Sequence, residues 1–202
     1  MRDLFASTET IDIDLAGAQL KCWPYFYSAR ESRQLFSELH EGLDWRSEEI
    51  QMYGRKVKVP RQTVWYGDSG ADYQYSGITH RAQPLPNSVE RVRQKLLEVL
   101  SLRFNSVLGN LYRDGHDSMG WHSDDEPELG SSPIIASLSL GASRYFDMRG
   151  IPSRHLKHRL ELNPGSLLLM SGDTQKNWQH CVPKQTTVAA ARINLTFRNI
   201  LL

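Results

Sequence analysis

Two histidines and one aspartate stand at positions from which they could share a metal ion. His122 and Asp124 form a His-x-Asp pair, and His180 follows far downstream. Two imidazoles and one carboxylate occupy one face of an octahedral Fe(II) ion and leave three positions for a co-substrate and O₂. A lone His-x-Asp also occurs by chance, and a single histidine is more often structural. The set predicts a catalytic iron site only if the fold brings its members together.

Zinc is the main alternative metal, and Cys181 is the one cysteine close to this set. Structural zinc sites are closed and usually rich in cysteine. Adjacent residues of a strand point to opposite faces, so we do not expect Cys181 to bind a metal beside His180. The remaining histidines form no better cluster in the sequence.

The segment from Arg192 to Arg198 places two arginines on one side of a predicted strand. It alternates, with apolar residues at 193, 195 and 197 and polar residues between them. Two guanidiniums and the amide of Asn194 on one face suit a small dicarboxylate, because arginine binds carboxylates bidentately. On a protein surface these arginines would form salt bridges, but the metal set favours a polar cavity. Together the two patterns predict an iron oxygenase that uses 2-oxoglutarate.

Composition is that of an ordinary globular chain. The 202 residues predict one domain, with 40% hydrophobic and 23% charged residues. A net charge of +1 gives no global nucleic-acid footprint, so such binding would need a local patch. Two cysteines, Cys22 and Cys181, favour a reducing compartment over a disulfide framework. We predict neither a signal peptide nor an apolar run of the roughly 20 residues that a membrane span needs.

Two helices are predicted in the first half of the chain. Ser28 and Glu31 fit a capping box, and the helix that they start can end at Gly42. Its apolar stripe is Leu35, Phe36 and Leu39. A second helix is predicted after Asn87, with a buried face of Val89, Val92, Leu96, Val99 and Leu100 and a solvated face of Arg91, Arg93 and Lys95.

From residue 104 onward the pattern predicts short strands. They span residues 104–112, 134–140, 144–148, 155–162, 166–170 and 189–198, with a turn at Asn163-Pro164-Gly165. Segments 50–53 and 56–59 predict a separate hairpin. The predicted fold class is α+β, mainly β: a double-stranded β-helix (jelly roll) with supporting N-terminal helices.

Four motifs together resemble those of the AlkB family of nucleic-acid dioxygenases. They are Asn110-Leu111-Tyr112, His122-Ser123-Asp124-Asp125-Glu126, Trp178-Gln179-His180 and Arg192-Ile193-Asn194-Leu195-Thr196-Phe197-Arg198. The likeness continues upstream through Pro60-Arg61-Gln62, Tyr66-Gly67-Asp68 and Tyr75-Ser76-Gly77. It spans about three quarters of the chain and most resembles the branch that repairs alkylated DNA.

The resemblance implies a role for each matching residue around the iron. His122, Asp124 and His180 would bind Fe(II). Arg198 would hold the C1 carboxylate of 2-oxoglutarate and Arg192 its distal carboxylate. The residues that would complete this pocket are Asn110, Tyr112 and Asn194.

It also implies substrate contacts. Glu126 matches the acidic position that contacts the damaged base, and Tyr75 with the face of His122 would sandwich the flipped base. Tyr73 and Arg61 would support the pocket or the lesion strand. Met52 and Tyr53, at a hairpin tip that also carries Arg55, Lys56 and Lys58, match the nucleotide-recognition lid, where apolar wedges can open a base stack. An ordinary exposed hairpin is the alternative.

The implied function is oxidative demethylation of bases such as 1-methyladenine and 3-methylcytosine in DNA, with Fe(II), O₂ and 2-oxoglutarate. Residues 1–202 would form one domain: a part at 1–85 with the first helix and lid, and a part at 86–202 with the second helix and jelly roll. The protein would be a cytoplasmic or, in a eukaryote, nuclear monomer. Alternatives are a 2-oxoglutarate oxygenase acting on RNA, protein or lipid, and a non-catalytic nucleic-acid-binding module.

Overall fold

The computed structural model describes residues 9–52, 55–75, 78–151, 153–154 and 157–201. The side chains of residues 50–52, 55–56, 73–75, 78–80 and 157 are outside that description. In these ranges, no helix has both the length and the apolar character that crossing a membrane would require.

Strands make up most of the ordered backbone. In chain order they are β1 (Ile11–Ile13), β2 (Gln19–Trp23), β3 (Arg46–Met52), β4 (Arg55–Gly67), β5 (Tyr73–Tyr75), β6 (Ile78–His80), β7 (Ser106–Tyr112), β8 (Met119–His122), β9 (Ile135–Gly141), β10 (Arg144–Gly150), β11 (Lys157–Leu162), β12 (Leu167–Ser171), β13 (Trp178–Val182) and β14 (Arg192–Arg198). The helices are α1 (Ala29–Gly42), α2 (Asn87–Leu100) and the short α3 (Thr174–Asn177). A 3₁₀ turn spans Pro127–Leu129.

The strands form two main antiparallel sheets. The larger has eight strands in the order β1-β2-β12-β9-β14-β7-β4-β3, and the smaller has four in the order β11-β10-β13-β8. Strands β5 and β6 pair with each other. Neighbours in the larger sheet come from distant parts of the chain, as expected for a jelly roll.

Two apolar clusters lie on opposite faces of the larger sheet. One packs this sheet against α1 and α2, and it contains the fully buried side chains of Leu39, Leu96, Ile193 and Phe197. The other fills the space between the sheets. Burying each large apolar side chain contributes about 1.5–3 kcal/mol. The inter-sheet space becomes polar toward β14, which creates the pocket described below.

The capping box predicted for α1 is confirmed. The Ser28 hydroxyl accepts a hydrogen bond from the Glu31 backbone N–H, and the Ser28 N–H donates to the Glu31 carboxylate. Helix α2 begins one residue earlier than predicted, at Asn87, with Pro86 as its N-cap. The prediction that Val99 is buried is wrong, because this side chain is 48% exposed. Lys95 is not simply solvated, since its ammonium lies 3.7 Å from the Tyr27 ring centroid.

The jelly-roll prediction is confirmed, although several strands were missed. The predicted strands at 104–112, 134–140, 144–148, 166–170 and 189–198 each correspond to an observed strand with shifted ends, and the one at 155–162 is observed from Lys157, since residues 155–156 lie outside the described ranges. Strands β2, β8 and β13 were not predicted, because they are only four or five residues long and their polar and apolar residues do not alternate cleanly. The two that carry the metal-site histidines, β8 and β13, are among them.

The basic hairpin is not separate from the barrel. Strands β3 and β4 pair from Met52↔Arg55 to Arg46↔Thr63, and β4 then pairs with β7. The hairpin is therefore an extension of the large sheet, and the prediction of an independent element is wrong. Its tip, Tyr53 and Gly54, lies outside the described residues.

Candidate metal centre and co-substrate pocket

Strands β8 and β13 bring the two predicted metal-binding histidines together. His122 and His180 are direct partners in the antiparallel register, so their side chains share one face of the small sheet. Their ring centroids lie 4.2 Å apart. The Nδ1 of His122 is 2.9 Å from the Gly120 carbonyl oxygen, and donation to this oxygen leaves the Nε2 lone pair for a metal.

Asp124 completes the set from the loop that follows β8. Its Oδ1 lies 3.9 Å from the Nε2 of His122, and its Oδ2 lies 3.8 Å from the Nε2 of His180. The candidate ligand atoms of the three residues all lie within 4.8 Å of one another. Two neutral nitrogens and one carboxylate fit a divalent ion such as Fe(II).

The electrostatics keep all three groups in the forms that bind a metal. Burial, followed by the neighbouring His122, lowers the pKa of His180 to about 3, so its imidazole is neutral. Burial also lowers the pKa of His122. Burial alone would raise the pKa of Asp124, but Arg198 and the two histidines hold it below its ordinary value. The site therefore offers one negative charge and two nitrogen lone pairs.

Cys181 does not join the set. His180 lines the pocket, whereas Cys181 is absent from the described residues that line it. Burial raises the pKa of the Cys181 thiol to about 11, which keeps it protonated. The prediction that Cys181 points away from the metal site is consistent with this placement.

Two side chains hold the His-x-Asp loop, and sequence reasoning did not identify either. Gln175 of α3 is 2% exposed, and its Oε1 accepts the backbone N–H of Asp124 at 3.0 Å. The Ser123 hydroxyl donates to the Trp178 carbonyl oxygen at 3.1 Å. The sequence carries no signal for Gln175, because its partner is 51 residues away.

A pocket between the sheets opens beside the histidines and is lined by the polar face of β14. Its lining residues are Leu108, Asn110, Tyr112, Met119, His122, Asp124, Ser137, Phe146, Met170, His180, Val182, Arg192, Asn194, Thr196 and Arg198. The alternation predicted for β14 is thus observed, with residues 193, 195 and 197 in the helix-facing core. The arginines face the cavity and not solvent.

Arg198 lies at the metal end of this pocket. Its Nη2 donates to Oδ1 of Asp124 at 2.6 Å, and both side chains are at most 5% exposed. A short charge-assisted hydrogen bond of this kind orients the carboxylate. Arg198 therefore stands where it can contact a ligand of the same metal ion.

Arg192 lies at the other end, in a different environment. It is 1% exposed, its Nη2 donates to the Ser139 hydroxyl at 2.9 Å, and its guanidinium carbon lies 5.3 Å from the Tyr112 ring centroid. Its Nε and Nη1 have no hydrogen-bond partner among the described residues. Burial lowers the pKa of Arg192 to about 10, so it stays cationic at neutral pH. A buried cation with unused donors in a pocket fits an anionic group of a ligand.

The other predicted co-substrate residues line the same pocket. Asn110 and Asn194 face each other across β7 and β14, with Nδ2 of Asn110 3.5 Å from Oδ1 of Asn194. The Asn194 amide also donates to the Ser137 hydroxyl at 2.8 Å. Tyr112 is the register partner of Arg192. All three are buried.

The predicted substrate-contacting residues are more dispersed. Arg61 is 5% exposed, and its Nε donates to Oδ1 of Asn110 at 2.7 Å. Glu126 directly precedes the 3₁₀ turn. Neither of them belongs to the pocket lining within the described ranges. The side chains of Met52, Tyr73 and Tyr75, and all of Tyr53, lie outside the described part of the chain.

The comparisons with known proteins agree with this site. Residues 19–198 match the family described as the 2OG-Fe(II) oxygenase superfamily. Human alpha-ketoglutarate-dependent dioxygenase alkB homolog 3 is 38% identical over 200 residues, covering 94% of this chain and 69% of that protein. Mouse DNA oxidative demethylase ALKBH2 is 39% identical over 193 residues, covering 90% of this chain and 81% of that protein. The human ALKBH2 is 40% identical over 186 residues, covering 87% and 71%.

A solved structure shares the fold. The structure of OsALKBH1 aligns with a TM-score of 0.64 over 89% of this chain and 97% of that chain. At 17% identity this likeness concerns the fold alone. The family match and the sequence relatives show that the chain belongs to the AlkB family of the 2OG-Fe(II) oxygenase superfamily and is a dioxygenase that uses Fe(II), 2-oxoglutarate and O₂.

Proposed function

We propose that this protein removes N-methyl groups from alkylated DNA bases, with 1-methyladenine and 3-methylcytosine as the type of substrate. The observation that carries the proposal is the close approach of His122, Asp124 and His180 beside a pocket with a buried arginine at each end. Relatives about 40% identical that are named DNA oxidative demethylases support the choice of substrate.

The ligand roles follow from position in the pocket. His122, Asp124 and His180 hold the iron. Arg198, which already contacts Asp124, binds the C1 carboxylate of 2-oxoglutarate. Arg192 binds the distal carboxylate with the donors that no described residue uses. Asn110, Tyr112 and Asn194 complete the pocket as buried hydrogen-bonding groups.

When bound, iron and 2-oxoglutarate supply the activation of O₂ and the oxidation of the methyl carbon. In the balanced reaction, one oxygen atom enters the N-methyl group and the other enters succinate as 2-oxoglutarate loses CO₂. The N-hydroxymethyl group then releases formaldehyde and restores the base. The protein orients both substrates and excludes water, because the pocket residues on β7, β9 and β14 are buried.

The substrate must reach the metal as a flipped base, since a base inside a duplex cannot enter this pocket. We assign Tyr75 and His122 to the two faces of that base and Glu126 to its edge. Tyr73 supports the same region. The bond from Arg61 to Asn110 favours support of the pocket as the role of Arg61, over contact with the DNA backbone. Methylated bases that cannot pair cost less to flip, which favours their selection.

The hairpin of β3 and β4 is assigned to DNA recognition. Met52 and Tyr53 stand at its turn, and Arg55, Lys56 and Lys58 follow. Because β4 pairs with β7, the hairpin is continuous with a strand that lines the pocket. This continuity supports a role for the tip close to the metal centre. RNA as the substrate is the alternative outcome of the experiments below.

Product analysis tests the proposed function directly. We expect mass spectrometry to detect loss of one methyl group from 1-methyladenine or 3-methylcytosine oligodeoxynucleotides, with equal amounts of succinate and formaldehyde. The Asp124→Ala variant should be inactive, and the exposed neighbour Asp125→Ala should match the parent. Turnover of 2-oxoglutarate without demethylation of any DNA oligonucleotide, or demethylation of RNA alone, would contradict the proposal.

A tip variant tests the role of the hairpin. Met52→Ala combined with Tyr53→Ala should slow repair of a 1-methyladenine duplex much more than repair of the same lesion in a single strand, which is already partly unstacked. Lys58→Ala is the matched control, since a phosphate contact should affect both substrates alike and reduce the salt dependence. Equal losses on both substrates for the tip variant would exclude a wedge.

We further propose that residues 1–202 act as one monomeric catalytic domain in the compartment that holds the DNA. In the larger sheet, strands from residues 86–202 form the centre and strands from residues 1–85 flank them on both edges, which supports a single folding unit. Light scattering of the purified chain would test the monomer, and a concentration-dependent mass would contradict it.

A further inference from the structure

Arg144, at the start of β10, is a completely buried cation that the reaction described above does not use. It is 1% exposed and makes four hydrogen bonds, all to neutral oxygens. Its Nε donates to Oε1 of Gln185 at 3.1 Å and its Nη1 to the Asp114 carbonyl at 3.0 Å. Its Nη2 donates to the carbonyls of Asp117 and Pro183, both at 2.8 Å.

These bonds join the two loops at the distal end of the pocket. One loop connects β7 to β8, and the other connects β13 to β14. The loops also bond directly, with the Gly115 N–H donating to the Val188 carbonyl at 2.7 Å and the Gln185 N–H to the Gly115 carbonyl at 2.8 Å. A Cβ on Gly115 would lie 1.7 Å from the Gln185 carbonyl oxygen, so only glycine allows this approach. Arg144 is thus held in one place.

The ring of Tyr112 contacts both Arg144 and Arg192. The guanidinium carbon of Arg144 is 5.5 Å from the Tyr112 ring centroid, and that of Arg192 is 5.3 Å away. Tyr112 and Arg192 line the pocket, whereas Arg144 contacts the Tyr112 ring and is outside the lining formed by the described residues. Any effect of Arg144 on a ligand therefore passes through Tyr112 or through its electric field.

The charge of Arg144 is not compensated by a direct ion pair. No carboxylate of the described residues forms a salt bridge with it, although Asp114 and Asp117 are near enough to interact at longer range. Burial lowers the pKa of Arg144, and Arg144 in turn lowers that of Arg192. Two buried cations that repel each other are stabilised by an anion bound between or beside them.

We propose that Arg144 is a specificity-determining residue, which positions Tyr112 and adds a second positive charge that selects a co-substrate with a distal carboxylate. The inference deepens the proposed function, because it rests on the assignment of the distal carboxylate to Arg192. It concerns the length and charge of the co-substrate and not the DNA lesion.

The test compares two acids that differ only at the distal end. 2-Oxoglutarate and 2-oxobutanoate share the keto acid group, but only the first has a second carboxylate. Calorimetric titration of the full chain loaded with Mn(II), without O₂, gives a dissociation constant for each. The ratio of the two constants is independent of the fraction of folded protein, because partial unfolding weakens both acids equally. The variants are Arg144→Gln and Arg144→Lys, with exposed Arg159→Gln as the control for loss of one positive charge.

We expect Arg144→Gln to reduce the preference for 2-oxoglutarate about tenfold. This is the size expected for the interaction of one partly screened charge with the distal carboxylate. Arg144→Lys should keep most of the preference and Arg159→Gln all of it. Equal weakening of both acids in Arg144→Gln, or a loss in Arg144→Lys as large as in Arg144→Gln, would overturn the inference. If Arg192→Gln lowers the preference and Arg144→Gln does not, the inference on Arg144 is wrong and the assignment of Arg192 stands. If Arg192→Gln has no effect, the assignment of Arg192 fails first.

Discussion

Arg192 and Arg198 lie six residues apart on one face of β14, and their surroundings differ sharply. Both are at most 4% exposed. Arg198 contacts the Asp124 carboxylate at 2.6 Å, whereas Arg192 donates to the Ser139 hydroxyl and lies over the Tyr112 ring. The metal end of the pocket therefore contains an ion pair, and the distal end contains a buried cation that has no ion-pair partner among the described residues.

This difference separates two tasks that one residue type performs. At the metal end, Arg198 orients a ligand of the iron and holds the pKa of Asp124 low even without co-substrate. At the distal end, Arg192 is buried without an ion-pair partner in the described part of the chain, which is consistent with its proposed role in binding a carboxylate. Under the proposed assignment, the Asp124 partner of Arg198 is present without co-substrate, whereas a carboxylate partner for Arg192 arrives only with the co-substrate.

Removing Asp124 should have the largest effect, because it takes away both the metal carboxylate and the partner of Arg198. We expect Asp124→Ala to abolish Fe(II)-dependent succinate formation, with the fold retained in the circular dichroism spectrum. Asp124→Asn keeps an oxygen that can accept the Arg198 hydrogen bond and should fold more stably than the alanine variant while remaining inactive. Full turnover in either variant, or in metal-free protein, would refute the metal assignment.

In metal-free protein, replacing each arginine by methionine should change the free energy of unfolding by very different amounts. Arg198→Met leaves the Asp124 carboxylate buried without this cation and should lower the free energy of unfolding by about 3–5 kcal/mol. Arg192→Met removes a buried charge that has no ion-pair partner among the described residues and should change it by less than about 1 kcal/mol. Urea denaturation measures both.

Binding provides the complementary measurement. Both Arg198→Met and Arg192→Met should raise the concentration of 2-oxoglutarate needed for turnover more than tenfold, since truncating one partner of a buried charge pair costs about 2–5 kcal/mol. Equal losses of stability in the two variants would show that the ends of the pocket do not differ as described. Unchanged dependence on 2-oxoglutarate in both would refute the clamp.

A smaller effect is expected at Gln175, which holds the backbone of Asp124 at the metal end of the pocket. Gln175→Leu removes the acceptor of the Asp124 N–H and should weaken Co(II) binding about 10- to 100-fold, as loss of an outer contact to a metal ligand typically does. Gln175→Glu retains an acceptor oxygen and should restore most of the affinity. Lys176→Ala, on the same short helix, is the control. A leucine variant with parental Co(II) absorption and affinity would exclude this role.

The smallest predicted effect concerns the distal loop that Arg144 holds. Burial alone would raise the pKa of Asp117, but hydrogen bonds from the Arg113 side chain and backbone hold it below its ordinary value. The contribution to stability is therefore present above about pH 4, the unfolded pKa, and is lost as the pH falls through the lower folded value. Asp117→Asn should cost about 1–2 kcal/mol at pH 7 and much less near pH 3. A cost that does not change with pH would contradict this assignment.

The local sequence pattern was sufficient to predict a feature wherever the residues that form it lie within one helix or strand. The alternation of β14 predicted its polar and apolar faces, because a strand that separates a core from a cavity needs a period of two. The sequence also predicted the capping box of α1, since the side chains of Ser28 and Glu31 bond to each other's backbone three residues apart. The metal set followed from residue types, because few side chains can bind Fe(II).

Longer-range features needed the three-dimensional structure. The register that places His122 opposite His180 depends on a small sheet with an irregularity between His180 and Val182, which no local periodicity encodes. The continuity of the basic hairpin with the large sheet depends on pairing between β4 and β7, some 40 residues apart. Gln175 and Arg144 sit in segments whose pattern gives no reason to single them out.

By itself, then, the sequence predicted which residues form the candidate metal site, which face of β14 is polar and which family motifs are present. The tertiary structure decided which arginine forms an ion pair, which has no ion-pair partner within the described ranges, and that Arg144 contacts Tyr112. The physical reason is that charge compensation depends on distances between side chains that are far apart in the chain. Residue types set the available charges, whereas only packing sets which of them meet.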